Sequence, residues 1–175
     1  RTHRRAGDYP RAEVALNEVL KVHADMIDVQ QEAAWLYELW AGTDGDAAKF
    51  GLAINGRRTA PEIWGWGKVA RMLQGAMQQS NAKPNAAETF LEAKVHQIDS
   101  LLAYAATGES DDHKESLRIA KYTVESLVMT TSQTILEPRM EEFERQYGEI
   151  LTAMGEPVVP LSEVRNVTAP ETGEA

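Results

Sequence analysis

At 175 residues and 43% hydrophobic content, the chain is long enough to bury a core of its own and too apolar to be disordered. It has no cysteine, which excludes disulfides, thiolate catalysis and cysteine metal sites, and no apolar run of about 18 residues, which excludes a membrane-spanning helix. The formal net charge is −9, with residues 1–23 carrying +2, so the rest of the chain is an acidic body that repels phosphate backbones and argues against nucleic acid as a partner.

The chain begins at Arg1 rather than Met, and no signal-peptide segment follows. It is therefore expected to be a trimmed piece of a longer protein, its cellular address lost with the true N-terminus; a cytoplasmic setting is favoured. The first predicted helix runs from about Pro10 to His23. Proline suits a first helical position, and Ala12, Ala15, Leu16, Val19 and Leu20 recur at three- and four-residue steps. Asp28, with Gln31 three residues on, is expected to cap a second helix that ends at Gly42. A third is predicted over Asp46–Arg58 and a fourth from Pro61 to about Gln79. Asn85 and Glu88 open a long fifth that closes at Gly108. A sixth starts at Asp111 or Asp112 and fades in the Thr130-Thr131-Ser132 run. Pro138 starts a seventh that stops at Gly155 and Pro157. Nothing alternates with period two over a useful length, so the fold class is all-α. Residues 156–175 hold Pro157, Pro160 and Pro170 with no apolar stripe, and are expected to form an extended tail whose "VVPL" run (Val158 to Leu161) touches the last helices.

The fourth predicted helix contains the unusual stretch "IWGWGKVA", Ile63 to Ala70. Gly65, Gly67 and Gly75 would each cost about 1 kcal/mol inside a helix relative to alanine, and close helix–helix approach is the simplest compensation. Trp66, Val69, Ala70 and Leu73 fall on one face and read as core. Trp64 lies towards the other side, where core and ligand contact are equally good readings.

No catalytic constellation is present. None of the four histidines follows a Glu by three residues, and neither a His-Glu-x-x-His motif nor a P-loop occurs. Glu92, His96 and Asp99 share one helix face, but a metal would need a further ligand, so a partly exposed polar face is expected there. The chain is read as a non-enzyme, without metal or cofactor.

The helical segments echo one another at a spacing of 36 residues: Ala12 with Ala48, Ala33 with Val69, Ala34 with Ala70, Tyr37 with Leu73. The stretch "AGDYPRAEVALNEVL" (Ala6 to Leu20), with Gly7, Asp8, Tyr9, Ala12 and Leu16, resembles the second half of a tetratricopeptide repeat (TPR). Ala33, Ala34 and Tyr37 match that family's apolar, small and aromatic first-helix positions, and Trp66 falls where the family most often has tryptophan. The resemblance covers roughly residues 4–106, as a half repeat followed by two degenerate ones; the spacing exceeds the usual repeat of about 34 residues.

The resemblance implies antiparallel helical hairpins over residues 1–155, about seven helices stacked as an α-solenoid that presents a concave groove. Groove positions of the family fall here on Gln31, Trp35 and Glu38, then on Trp64, Arg71, Gln74 and Gln78. Of these only Arg71 suits the subclass that clamps a C-terminal carboxylate, so no such clamp is expected. A mixed polar and aromatic lining suits an extended or helical segment of a protein partner. The alternative is an accessory helical domain of a larger assembly with no ligand of its own. Oligomeric state is left open.

Overall fold

A computed structural model describes residues 4, 6–79 and 83–166 of the chain. Among them the fold is all-α apart from one short ladder. The helices are α1 (Tyr9–Val22), α2 (Ile27–Asp44), α3 (Ala47–Asn55), α4 (Trp66–Met77), α5 (Ala86–Ala105), α6 (Asp111–Thr130), α7 (Gln133–Leu136), α8 (Met140–Met154) and α9 (Leu161–Asn166). Between α3 and α4, β1 (Gly56–Arg57) pairs antiparallel with β2 (Ile63–Trp64), Gly56 lying opposite Trp64 and Arg57 opposite Ile63.

Caps explain several of the boundaries. The Asp8 carboxylate accepts from the Arg11 N–H at the start of α1, and the Asp46 carboxylate accepts from the Ala48 and Lys49 N–H groups at the start of α3. Lys49 reaches back to Asp46 at 2.7 Å and holds that carboxyl below its ordinary range. Helix α2 runs to Asp44, past the expected stop at Gly42, because the left-handed turn is made by Gly45 (φ 67°). Its start is also shifted: Met26 occupies the cap position, and Asp28 lies in the first turn.

Helix α5 is the hub, packing against α3, α4, α6 and α8, while α2 packs against α1, α3 and α4. The side chains of Tyr37, Trp66, Phe90 and Phe143 are all but sealed from solvent, and each stabilises the fold by about 1.5–3 kcal/mol through burial. The 36-residue echo is matched in burial at most positions. Ala33, Val69, Ala34 and Ala70 are sealed, and Tyr37 and Leu73 are both buried. Ala12 and Ala48 break the pattern, being half-buried and exposed.

The largest departure from expectation lies between Asn55 and Trp66. Helix α3 stops at Asn55 rather than Arg58, and α4 begins at Trp66 rather than Pro61. Gln30, fully buried in the first turn of α2, holds the intervening chain extended. Its amide nitrogen donates to the carbonyls of Ala24 (2.6 Å) and Glu62 (3.0 Å), and its oxygen accepts from the Trp64 N–H (2.7 Å). Two backbone groups of this segment that a helix would have satisfied, the Glu62 carbonyl and the Trp64 N–H, are thereby satisfied by one side chain.

Gly65 is consequently not inside a helix. It precedes α4 in extended conformation, pressed so closely on α3 that a Cβ would lie 2.2 Å from the Ile54 carbonyl oxygen. Gly67 and Gly75 are helical, as expected.

The C-terminal expectation also needs correcting. Pro138 sits in a 3-10 turn (Glu137–Arg139), and the last long helix starts at Met140. Beyond Gly155 the chain does not stay extended: residues 161–166 form α9, with Leu161 only 1% exposed. The Glu144 carboxylate accepts from the Leu161 N–H, and Arg165 donates to the carbonyls of Val128 and Thr131, both at 3.1 Å. Of the "VVPL" run, Val159 and Leu161 pack against the body, whereas Val158 stays exposed. Residues 167–175 of the expected tail lie outside the described residues.

Candidate functional site

The seven residues expected to line one groove do not share one surface. Trp35 and Glu38 turn inward to a polar–aromatic cluster at the seam of α2, α4 and α5. Glu38 accepts from the Trp66 indole N–H at 2.7 Å through one carboxylate oxygen, and its other oxygen lies 3.0 Å from His96 Nδ1. The Trp35 indole N–H donates to His96 Nε2 at 3.0 Å. That bond fixes the tautomer: Nε2 carries the lone pair, so Nδ1 carries the proton and donates to Glu38. The Trp66 ring stacks on the imidazole at 4.8 Å between centroids, and Trp35 meets it edge-on at 5.6 Å. Arg4 covers the outer face of Trp35 at 5.1 Å and pairs with Glu32 at 2.6 Å.

Burial opposes protonation of His96. The Glu38 hydrogen bond and the charges of Glu38, Glu92 and Asp99 outweigh it, and the imidazole is held above its ordinary value. Both ring nitrogens are occupied. Among the described residues no group of His, Asp and Glu is placed to hold a metal ion.

Trp64 is 5% exposed and cannot line an open groove. Lys68 lies over its ring at 4.6 Å and pairs with Glu62, holding that carboxyl below its ordinary range. Of the remaining expected groove residues, Gln31 is half-buried on α2. Gln74 and Gln78 are exposed on and just beyond α4, Gln74 beside a small depression that also takes in Lys94 and Tyr122. Arg71 stands apart from these, because it borders a real cavity.

That cavity is a cleft of about 580 Å³ between α3, α4, α5 and α6. Its size is within the range of ordinary ligand and peptide sites. Two helical glycines open it. At Gly51 a Cβ would meet nothing within 4 Å, and at Gly67 it would meet only the Gln97 side chain closely, at 3.3 Å. Ile54, Leu101 and Ile119 give it apolar walls, with Asn55, Gln97 and Tyr104 as polar contacts. Arg71 makes no hydrogen bond or ion pair among the described residues, and Asp112 on the opposite wall likewise pairs with no cation among them. Near Arg71, the Lys94 ammonium donates to Gln97 at 3.2 Å; burial, helped by the Arg71 charge, pushes its pKa below the ordinary value.

No protein-family model, curated protein or solved structure matches this chain.

The cleft therefore has to be judged on its own chemistry. It offers positive charge on one wall and negative charge on the other, both uncompensated among the described residues, and an apolar floor made accessible by missing side chains. Such a lining can orient a segment carrying both signs of charge, and it contains no nucleophile–base pair. Of the residues that line this cleft, sequence reasoning singled out Arg71 as a groove residue and Gly67 as a helical glycine, but not Gly51, Gln97 or Asp112. Gly51 carried a usable signal, since a glycine in the middle of a capped nine-residue helix invites the same question as Gly67.

Proposed function

We propose that the chain is a protein–protein interaction module that takes a segment of a partner protein into the cleft bounded by α3, α4, α5 and α6, within a TPR-like stack of helical hairpins. The observation that carries this reading is the cleft itself, with Arg71 unpaired at its edge and Gly51 and Gly67 opening its floor. An unpaired guanidinium beside a half-buried lysine favours an acidic side chain on the incoming segment, and Asp112 favours a basic one opposite. The burial match at the 36-residue spacing supports the repeat architecture. A displayed random-peptide library selected against the wild-type chain tests the proposal. Selected segments should lose binding to Arg71→Glu and to Gly51→Trp, both of which should melt close to the wild type. Segments that bind both variants as well as the wild type would place recognition elsewhere.

A second reading is favoured by one specific surface. A groove of about 270 Å³ between α1 and α2 is lined mainly by Ala12, Ala15, Leu16, Val19, Val29 and Leu36, and Val22 just beyond it is 75% exposed. An accessory domain seated in a larger assembly would bury such a face.

A further inference from the structure

We propose that His96 and Trp35 form a proton-operated latch between α5 and α2. Proton binding at His96 Nε2 breaks the Trp35 hydrogen bond and frees the indole from the seam. The geometry makes the two events exclusive. In the neutral ring, Nε2 accepts the Trp35 N–H at 3.0 Å while Nδ1–H donates to Glu38. A protonated ring carries a hydrogen on both nitrogens, so two donors would meet head-on at 3.0 Å. The Nδ1 bond to Glu38 survives the change and is strengthened by the charge. The Nε2 bond does not survive, and Trp35 has to move.

The charged groups around the ring make protonation accessible in the folded state. On α5 itself Glu92 lies one turn before His96 and Asp99 one turn after it. From α2 comes Glu38, while Arg4, which lies over Trp35, is paired with Glu32. From α8, Arg145 approaches Asp99 at 3.8 Å but is shared with Glu149 at 2.7 Å, and Gln146 donates to Asp99 at 2.7 Å. Helix α4 contributes the stacked Trp66 ring, and Lys68 further along it is neutralised by Glu62. Glu92 pairs with no cation among the described residues, and its charge favours the protonated ring. Trp35 is held otherwise by Arg4 over one face and the Trp66 edge at 6.1 Å, so its release loosens the N-terminal side of the molecule from α5.

Linkage makes the coupling reciprocal: if the proton weakens the Trp35 bond, the Trp35 bond must weaken proton binding. Two NMR measurements on the whole chain test this. In the wild type, the Trp35 indole N–H resonance should titrate with the same midpoint as the His96 ring protons. In Trp35→Phe, which keeps an aromatic ring and removes the donor, the His96 midpoint should rise by about half to one pH unit, the value of one ordinary hydrogen bond. A Trp35 resonance indifferent to His96 titration would overturn the latch. So would a His96 midpoint that is unchanged or lowered in Trp35→Phe, or a His96 that does not titrate while the chain stays folded.

Discussion

Gly65 and Gly67 stand two residues apart and make opposite demands. A methyl group at Gly65 would press on the Ile54 backbone at 2.2 Å, which cannot yield without moving α3. Gly65→Ala should therefore lose about 1–3 kcal/mol or more by chemical denaturation. At Gly67 the nearest atom is the end of the flexible Gln97 side chain at 3.3 Å. The gain from restricting the unfolded chain, about 0.4–1 kcal/mol, then leaves Gly67→Ala neutral or stabilised. A loss at Gly67 as large as that at Gly65 would show that both are packing glycines and that the cleft floor is not free space. His96 sets a pH dependence whose sign is fixed. Its folded-state pKa lies above the ordinary value, so its stabilising contribution is complete below that value and is lost as pH rises through the folded one. Denaturation of the wild type and of His96→Gln at pH 5.5, 7 and 8.5 should show the wild type's relative advantage shrinking as pH rises; an advantage that grows would mean burial and the Trp35 bond dominate.

Among the elements, the segment from Gly56 to Gly65 shows how one side chain can override a helical pattern. Pro61 is a good first helical residue, and the apolar spacing that follows is helical, so the sequence favours a helix from Pro61. Gln30 reverses that preference with hydrogen bonds to Glu62 and Trp64, 32 and 34 residues away in sequence, a relation that no local window can reveal. The sign of it in the sequence is a glutamine on the buried stripe Gln30, Ala33, Ala34, Tyr37 and Ala41, at the 36-residue echo of Trp66. Gln30→Leu should cost about 2–4 kcal/mol, because buried carbonyls and an N–H lose their partners; a cost under about 0.5 kcal/mol would mean the ladder of β1 and β2 holds the segment unaided. Helix α9 was illegible for a related reason. Its buried anchor Leu161 is followed only by half-buried Val164, too short a pattern to show periodicity, and its start is fixed by the distant Glu144. Leu161→Ala should destabilise by about 2–4 kcal/mol, a fall in Tm of roughly 5–15 °C, whereas an unchanged Tm would make the docked segment incidental.

For the molecule as a whole, the all-α class and the seven long helices among the described residues were readable because capping residues and three- and four-residue apolar steps are local signals. The convergence of α3, α4, α5 and α6 on one cleft is set by packing, and periodicity reports which face of a helix is buried without reporting what it is buried against. Trp35, Glu38 and Trp64 were therefore assigned to a groove, although inward partners claim them: His96 and Trp66 for the first two, Lys68 and the β1–β2 segment for the third. Arg71 was assigned to the same groove and does border a cavity, because nothing among the described residues neutralises it. The central claim is that this cavity, rather than the apolar groove between α1 and α2, receives the partner. Mapping backbone amide shifts on addition of a library-selected segment tests it most directly. The amides of Gly51, Gly67, Arg71 and Gln97 should move together and saturate at one affinity. Shifts confined to Ala12, Leu16, Val19 and Val29 would contradict the account and favour a domain that docks through its first two helices.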